Sequence, residues 1–399
     1  MSQKYDAITE RENALLCRTY GRYPLAVVKG KASRLWDCNG KEYVDLLAGI
    51  AVTSLGHCNE ELAQVMEAQA RKLIHVSNLF YQEEQLELAS RLLATCHMGK
   101  VFFCNSGAEA NEAAVKLARR YMQRVLERDA YEIVTLSGCF HGRTLGMIAA
   151  TGQARFQDGF DPLPTGFKQV PWGDMDALRS VVGPQTAGIM LETVQGEGGI
   201  RPLTPAYAKA LQDFCREKDI LLIMDEVQAG MFRTGKPWGF QHFDLLPDIM
   251  TSSKAIANGL PLGAMLCSEK VAKGFVNGSH ATTFGGGALV TTVACKVLEI
   301  MERDKLAERA TRLGAAFRAR LEAINTRLPG GIHEVRGLGL MLGVDLGFPG
   351  KEVWGKLIQR GFICNLTQER VLRLLPALTI DESDLMAFAD ALEKILAER

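Results

Sequence analysis

Short apolar runs alternate with amphipathic stretches between residues 101 and 267. The apolar runs, read as strands, are VFFC, EIVTL, AGIMLET, ILLIMD, DIMTS and LGAMLC. The amphipathic stretches AEANEAAVKLARRYMQRVLERD and PAYAKALQDFCREKD have helical spacing of their apolar residues. Alternation of this kind predicts an α/β fold, with a largely parallel sheet and helices on its faces.

The pattern differs at both ends of the chain. Near the start, RLWDCNGKEYVDLL contains two alternating runs joined by Asn39 and Gly40, the pair that a type I′ turn prefers, which predicts a hairpin. After residue 303 we expect a long helix, a strand in HEVRGLGLMLGVDL, a helix, a strand in VLRLLPAL and a last helix. We therefore predict an N-terminal segment (1–55) that packs with a smaller α+β domain (303–399), and a large domain (56–302).

Composition and charge exclude several classes of protein. The 399 residues are 47% hydrophobic and 23% charged, as in ordinary globular proteins. Lys plus Arg and Asp plus Glu both total 46, so the chain has no net charge that would favour nucleic acid or an anionic membrane. The start lacks the features of a secretory signal, and no apolar run is long enough to span a membrane. We expect a cytoplasmic protein.

The ten cysteines are scattered and contain no CxxC pair. Several lie inside apolar runs, which is typical of reduced cysteines in a core. We expect neither a disulfide framework nor a metal site, because the paired ligand spacing is missing.

Three predicted strand ends carry candidate chemistry. Ser106, Gly107 and Ala108 lie between a strand and a helix, where backbone N–H groups and the helix dipole favour an anion such as phosphate. The alternative is that Gly107 only lets the chain turn. Asp225 ends another strand and Gln228 follows it, and here the alternative is that the aspartate caps a turn.

Lys254 follows a third strand and precedes a glycine-rich turn. Partial desolvation there would lower the pKa of its amine and make it a Schiff-base nucleophile, although a lone lysine is more often solvated at the surface. A phosphate site, a carboxylate and a lysine together match the needs of pyridoxal 5′-phosphate (PLP), which are a phosphate anchor, a partner for the ring nitrogen and an amine for the aldehyde.

The chain resembles the class III PLP-dependent aminotransferases, and within them the acetylornithine-specific members. The resemblance covers nearly the whole chain and is carried by YGRYPLAVVKG, LWDCNGKEYVDLLAGIAVTSLGH, NSGAEANEAAVKLAR, FHGRTLG, ETVQGEGG, DEVQAGMFRTG, TSSKAIANGLPLGAM, TTFGGG and LRLLPAL. It implies a PLP-transferase fold of type I.

The resemblance also implies roles for single residues. Lys254 would bind the cofactor aldehyde, Asp225 the ring nitrogen, and Gln228 would lie near the ring hydroxyl. Phe140 would stack on the ring, and Ser106, Gly107 and Ala108 would bind the phosphate. Arg143 and Arg373 would each bind a substrate carboxylate, and Glu197 would lie beside Arg373. Without the resemblance, a core phenylalanine, a surface arginine, a turn carboxylate and a strand-edge charge would be the simpler interpretations.

Thr283 would reach the cofactor phosphate of a neighbouring subunit, so the resemblance implies a homodimer with shared active sites. Two features depart from the family. Gly287-Ala288 stand where many relatives have Asn-Pro, and Ala108 stands where many have Thr.

The activity implied is transfer of the terminal amine of N-acetylornithine to 2-oxoglutarate, in arginine biosynthesis. Ornithine, 4-aminobutyrate, succinylornithine and succinyldiaminopimelate remain alternative donors, because a pocket discriminates poorly between ligands that differ by a methylene. An aminomutase, which needs no external acceptor, and a cofactor-binding protein without turnover are alternatives of other classes.

Overall fold

Strands and helices alternate through residues 3–399, which the computed structural model describes. The strands are β1 (Val27–Lys31), β2 (Arg34–Asp37), β3 (Glu42–Asp45), β4 (Lys100–Cys104), β5 (Glu132–Leu136), β6 (Phe167–Val170), β7 (Thr186–Glu192), β8 (Val194–Gln195), β9 (Arg201–Pro202), β10 (Leu221–Asp225), β11 (Ile249–Ser252), β12 (Gly263–Cys267), β13 (Glu334–Leu338), β14 (Met341–Asp345), β15 (Phe362–Ile363), β16 (Asn365–Thr367) and β17 (Val371–Leu374).

The helices are α1 (Gln3–Leu15), α2 (Ala48–Ala51), α3 (Glu60–Lys72), α4 (Glu83–Ala94), α5 (Gly107–Arg124), α6 (Leu145–Ala150), α7 (Met175–Val181), α8 (Pro205–Lys218), α9 (Glu269–Ala272), α10 (Ala288–Arg303), α11 (Leu306–Arg327), α12 (Lys351–Gln359) and α13 (Glu382–Ala397). Short 3₁₀ turns span Ala154–Phe156, Gly239–Phe243 and Lys254–Ala257. No helix in residues 3–399 has both the length and the apolar character needed to cross a membrane.

The central sheet has the strand order β4-β12-β11-β10-β7-β5-β6. All its strands run parallel except β12, which is antiparallel to both β11 and β4. Successive side chains point to opposite faces, so Ile223 and Met224 of β10 enter two different apolar clusters. The predicted α/β fold with a largely parallel sheet is confirmed. Sequence analysis missed β6, whose short FKQV has no long apolar run.

A second, antiparallel sheet has the order β13-β14-β17-β16 and packs against the C-terminal helices α11 and α12. The single strand expected in HEVRGLGLMLGVDL is wrong, because this stretch forms the hairpin β13–β14. Gly337 and Gly339 have positive φ angles of 127° and 52°, and glycine adopts them without a steric penalty.

The third sheet joins both ends of the chain, in the order β1-β2-β3-β15. The expected hairpin is β2–β3, but its loop is not type I′, because of the central pair only Gly40 has a positive φ, of 83°. Since β15 pairs with β3, the N-terminal segment packs with the C-terminal part. The three-part division remains a proposal, and Met1 and Ser2 lie outside the described residues.

All ten cysteines are free. The five that are buried are Cys104, Cys139, Cys215, Cys267 and Cys364, whereas Cys17 and Cys58 are exposed. The expectation of core cysteines therefore holds for half of them.

Candidate active site

Four strands of the central sheet run in the same direction, so their carboxyl ends lie along the same edge. β4, β11, β10 and β7 all run in one direction, so the residues after Cys104, Ser252, Asp225 and Glu192 converge there. The register pairs Asp225 directly with Glu192 on one side and with Thr251 on the other. This edge is where open α/β sheets bind ligands.

Asp225 is buried, and its two carboxylate oxygens have different partners. Oδ1 accepts a hydrogen bond from the backbone N–H of Val227 at 3.0 Å, so the aspartate does cap the turn. Oδ2 accepts from Asn111 Nδ2 at 2.7 Å and lies 2.8 Å from His141 Nδ1. The side chain is thus held rigidly at the strand end, and capping is only part of its role.

His141 is fully enclosed beside Asp225. Burial alone would lower the pKa of His141, but Cys139 and the hydrogen bond to Asp225 outweigh it and hold the pKa well above the usual value. Its second nitrogen, Nε2, is buried without a hydrogen-bond partner in the described part of the chain. His141 therefore stabilises the anionic form of the Asp225 carboxylate through a charge-assisted contact.

Glu192 ends the neighbouring strand. It accepts hydrogen bonds from the backbone N–H groups of Phe140 and Gly196, each at 3.1 Å. Burial raises its pKa to about 7, opposed by His141 and reinforced by the charge of Asp225. Glu192 therefore fixes the backbone of two loops that line the strand ends.

Lys254 is half-buried and starts a 3₁₀ turn with a φ of 49°. Burial, helped by the positive charge of Arg373, lowers the pKa of its amine to about 8, while Glu197 and Asp225 act in the opposite direction. No hydrogen bond to its Nζ is found within residues 3–399. Lys254 is therefore not a solvated surface lysine, and it lies in one electrostatic cluster with Asp225, Glu197 and Arg373.

The segment from Ser106 to Ala108 starts α5 as expected. Ser106 Oγ caps the helix by accepting from the backbone N–H of Glu109 at 3.2 Å, and the Glu109 carboxylate accepts from the N–H of Asn105, the residue before the cap, at 2.5 Å. A Cβ on Gly107 would lie 2.8 Å from Val227, so glycine is needed where the loop after β10 approaches. The first N–H groups of the helix have no partner within the helix itself.

Phe140 and Arg143 lie together beside the strand ends. The Phe140 ring meets Phe156 edge to face, with centroids 5.6 Å apart. The exposed Arg143 guanidinium lies 4.0 Å from the Phe156 ring centroid and 5.5 Å from that of Phe140. No carboxylate forms an ion pair with Arg143 in residues 3–399, so its charge is available to a ligand.

Glu197 and Arg373 form an ion pair of 2.5 Å, with Arg373 only 2% exposed. Although burial alone would raise it, the pKa of Glu197 is lowered by Arg373. The guanidinium also donates from Nη1 to Gln228 Oε1 at 3.5 Å and from Nε to Asn365 Oδ1 at 3.0 Å. The predicted residues Gln228, Glu197 and Arg373 are therefore in one contact group.

Thr283 is exposed, and its side chain forms no hydrogen bond to this group within residues 3–399. Its neighbour Thr282 does approach the start of α5, since Thr282 Oγ1 accepts from Asn105 Nδ2 at 3.2 Å. The following Gly287 caps α10, which begins at Ala288. The role expected for Thr283 across a subunit boundary stays a prediction.

Comparison with known proteins identifies the family. The family model described as aminotransferase class-III matches residues 16–396. The chain belongs to the class III aminotransferases. The acetylornithine aminotransferase of Methanocaldococcus jannaschii is 44% identical over 379 residues, which cover 95% of each chain. That of Caldanaerobacter subterraneus is 43% identical over 388 residues, covering 97% of this chain and 98% of the relative.

A solved structure has the same fold. The ornithine aminotransferase of Toxoplasma gondii superposes with a TM-score of 0.94 at 30% identity, covering 98% of this chain and 94% of that one, and it holds PLP at partial occupancy in its active site. Class III aminotransferases use PLP, which is therefore the cofactor of this chain.

The residues of this aminotransferase fit that cofactor. Three groups lie together at the carboxyl ends of the central strands. They are the carboxylate of Asp225, the buried His141 Nε2 and the Lys254 amine, and neither of these two nitrogens has a hydrogen-bond partner within residues 3–399. The helix start at Gly107 approaches the same loop as Asp225, because Gly107 packs on Val227.

Sequence reasoning missed His141, Asn111, Glu192 and Asn365. His141 lies inside the quoted FHGRTLG, and Glu192 ends its strand as Asp225 does, so both carried a signal. Asn111 and Asn365 had none, because their partners Asp225 and Arg373 are identified only by the folded contacts.

Proposed function

We propose that this aminotransferase moves the terminal amine of N-acetylornithine to 2-oxoglutarate, giving N-acetylglutamate semialdehyde and glutamate, in arginine biosynthesis. The observation that carries this proposal is that relatives of 40–44% identity, covering at least 95% of this chain, are acetylornithine aminotransferases. We place the reaction in the cytoplasm, a proposal that the ten free cysteines support.

Lys254 is the proposed proton carrier. When bound, PLP supplies an aldehyde that takes up the substrate amine and a ring that accepts electrons from the substrate carbon. Because burial lowers the pKa of its amine to about 8, Lys254 is neutral near neutral pH far more often than a solvated lysine, so its Nζ can accept the proton from the carbon that bears the amine. The same Nζ can then return that proton.

Asp225 is the proposed partner of the ring nitrogen. Its Oδ2 is oriented by Asn111 and His141, and the raised pKa of His141 favours a protonated imidazole that stabilises the carboxylate as an anion. In this proposal Phe140 stacks on the ring, since Glu192 fixes its backbone. Gln228 contacts the ring hydroxyl.

Arg373 and Glu197 are proposed to let one site accept two unlike substrates. N-acetylornithine has no carboxylate beside its reacting amine, and Glu197 then neutralises the buried Arg373, as in the observed 2.5 Å pair. When glutamate or 2-oxoglutarate binds, Glu197 moves away and the α-carboxylate takes its place. Arg143 holds the distant carboxylate in both half-reactions, which is supported by its lack of an ion-pair partner in the part of the chain that the structure describes.

We further propose a homodimer in which Thr283 of one subunit completes the phosphate site formed by Ser106, Gly107 and Ala108 of the other. Exposed apolar side chains surround the loop that carries Thr283, namely Ile74, Leu79, Phe80, Tyr81 and Phe284. The loop is tied to this region because Asn78 Nδ2 donates to Gly285 O at 3.0 Å. So many exposed apolar groups in one region are typical of an interface between subunits.

A panel of amine donors tests the proposed reaction. The cofactor-loaded protein is mixed in single turnovers with N-acetylornithine, ornithine, 4-aminobutyrate, succinylornithine and succinyldiaminopimelate, and the conversion of the cofactor to its amine form is followed by absorbance. We expect N-acetylornithine to give the highest single-turnover rate constant per unit concentration of donor. Glutamate should be released only when 2-oxoglutarate is added. Preference for another donor would contradict the proposed substrate, and turnover without an external acceptor would indicate an aminomutase.

A further inference from the structure

Asn365 lies directly opposite Arg373 on the edge strand of the antiparallel sheet. The register of β16 and β17 pairs the two residues, and Asn365 Oδ1 accepts from Arg373 Nε at 3.0 Å. The amide nitrogen Nδ2 donates to the Tyr23 hydroxyl oxygen at 2.8 Å. Because a guanidinium only donates hydrogen bonds, the amide oxygen must face Arg373 and the amide nitrogen must face Tyr23.

The Tyr23 end of this connection is itself held in place. The Tyr23 ring meets Trp354 edge to face with centroids 4.9 Å apart. Trp354 Nε1 donates to the backbone carbonyl of Cys364 at 2.9 Å, next to Asn365. The amide of Asn365 is therefore restrained by the N-terminal segment and by α12, and it cannot rotate without breaking one of its two hydrogen bonds.

This restraint fixes the orientation of Arg373. A planar guanidinium held through Nε offers its remaining edge, with Nη1 and Nη2, for a bidentate carboxylate. In the structure Nη1 donates to Glu197 from that edge. The incoming α-carboxylate and Glu197 therefore compete for the same edge, whose direction Asn365 sets.

The same strand also holds Glu197. Thr367 Oγ1 and the neighbouring Gln368 Nε2 donate to the backbone carbonyl of Glu197 at 3.0 and 2.7 Å. One short strand and the residue after it thus restrain both the Arg373 side chain and the Glu197 backbone. The two members of the ion pair are therefore held in a fixed position relative to each other.

We propose that Asn365 is a positioning residue for substrate specificity, which orients Arg373 for substrates that bring an α-carboxylate and leaves the N-acetylornithine half-reaction nearly unaffected. The proposal rests on the proposed function, since it assumes that the two half-reactions differ at Arg373. Asn365 acts through Arg373 and touches neither substrate nor cofactor.

The variant Asn365→Leu tests this role, because it keeps a similar size and removes the acceptor for Arg373. The probe is glutarate, a dicarboxylate that cannot react, and its affinity for the cofactor-loaded protein is measured by titration calorimetry. Loss of a hydrogen bond to a charged group should weaken glutarate binding by roughly 10- to 100-fold. The KM for 2-oxoglutarate should rise similarly with little change in kcat, while the N-acetylornithine single turnover changes by less than about threefold.

Two further variants sharpen the test. Asn365→Asp keeps the shape but adds a carboxylate beside Arg373, so glutarate binding should again weaken. In a double-mutant cycle, adding Asn365→Leu to Arg373→Ala should cause no further loss, because the amide acts through the guanidinium. Full additivity in the cycle, or equal losses in both half-reactions, would overturn the proposal.

The two proposals fail in different ways. A protein that binds glutarate through Arg373 but does not use N-acetylornithine would contradict the proposed function. The double-mutant cycle, measured by glutarate affinity, would still determine the role of Asn365. Unchanged glutarate affinity in a normally folded Asn365→Leu protein would overturn the role of Asn365 and leave the proposed function intact.

Discussion

At the scale of single residues, the chemistry depends on what surrounds each charge. Lys254 has an ordinary side chain, but its half-buried position next to Arg373 lowers the pKa of its amine to about 8. Arg373 is the opposite case, because burying a guanidinium to this degree is costly unless partners such as Glu197 and Asn365 accept its hydrogen bonds. Each of these side chains gains its proposed role from its neighbours.

The pKa of Lys254 gives a direct expectation for the cofactor-free protein. Because burial lowers the pKa of the amine, Lys254 should lose its proton at lower pH than a solvated lysine and react with a small electrophile. Reductive methylation between about pH 6 and pH 10, read by peptide mass spectrometry, should reach half of its maximum near pH 8 for Lys254. Exposed Lys209 is the control, and labelling of both residues in parallel at every pH would contradict the lowered pKa.

For Glu197→Ala, we expect a change in the ratio of the two half-reactions. Without its carboxylate, Arg373 stays unpaired, which favours glutamate and penalises N-acetylornithine by about 1 to 3 kcal/mol. The backbone of residue 197 should stay in place, because Thr367 and Gln368 hold its carbonyl.

Single-turnover rates with the two amines measure this ratio. Glu197→Gln is the matched control for size, and it should show the same direction of change because it also lacks the charge. Equal losses with both substrates would mean that Glu197 has only a structural role.

At the scale of strands and helices, much of the large sheet could be predicted because its buried strands are apolar runs bounded by helices. The strand ends at Cys104, Asp225 and Ser252 follow from the same pattern. The site contacts could not be predicted, because they join residues far apart in sequence. Asn111 and Asp225 are 114 positions apart, and Tyr23 and Asn365 are 342 apart. The hairpin β13–β14 was missed because its turn lies within an apolar run.

The loop after β10 depends on a buried carboxylate. Glu226 is 1% exposed, and it accepts hydrogen bonds from the Thr193 hydroxyl and from the backbone N–H groups of Gly239 and Phe240, at 2.8 and 2.9 Å for the last two. Replacement by alanine would leave buried donors without an acceptor, at about 1 to 3 kcal/mol each.

We therefore expect Glu226→Ala to lower the Tm markedly in thermal unfolding. Glu217→Ala is the control, since Glu217 is a surface residue whose only ion pair within residues 3–399 is with Lys218. A Tm equal to that of the control would show that the loop does not depend on Glu226.

At the scale of the whole molecule, two parts of the described surface suggest a missing partner. Apolar side chains are exposed around the loop with Thr283, and α1 has no buried residue. Both features would be explained by a second copy of the chain. In the proposed homodimer the site would be shared between subunits, and cofactor binding would depend on association.

Phe80→Asp should weaken that association, because a charge would have to be buried in an apolar interface. Sedimentation should show monomers at concentrations where the unchanged protein is a dimer, and the cofactor should be lost on dilution. Leu246→Asp is the control, since Leu246 is an exposed apolar residue elsewhere.

Thr283→Ala should reproduce the weaker cofactor retention without dissociating the dimer, and retention that is unchanged by both variants would contradict a shared site.

The central claim is that the strand ends assemble a PLP site around Lys254, and borohydride reduction followed by peptide mapping tests it most directly. Reduction fixes the cofactor on the amine that holds it. The account predicts one cofactor per chain, carried by Lys254, and neither label nor turnover in a normally folded Lys254→Ala protein. Label on a different lysine of the unchanged protein, or full turnover by the variant, would contradict it.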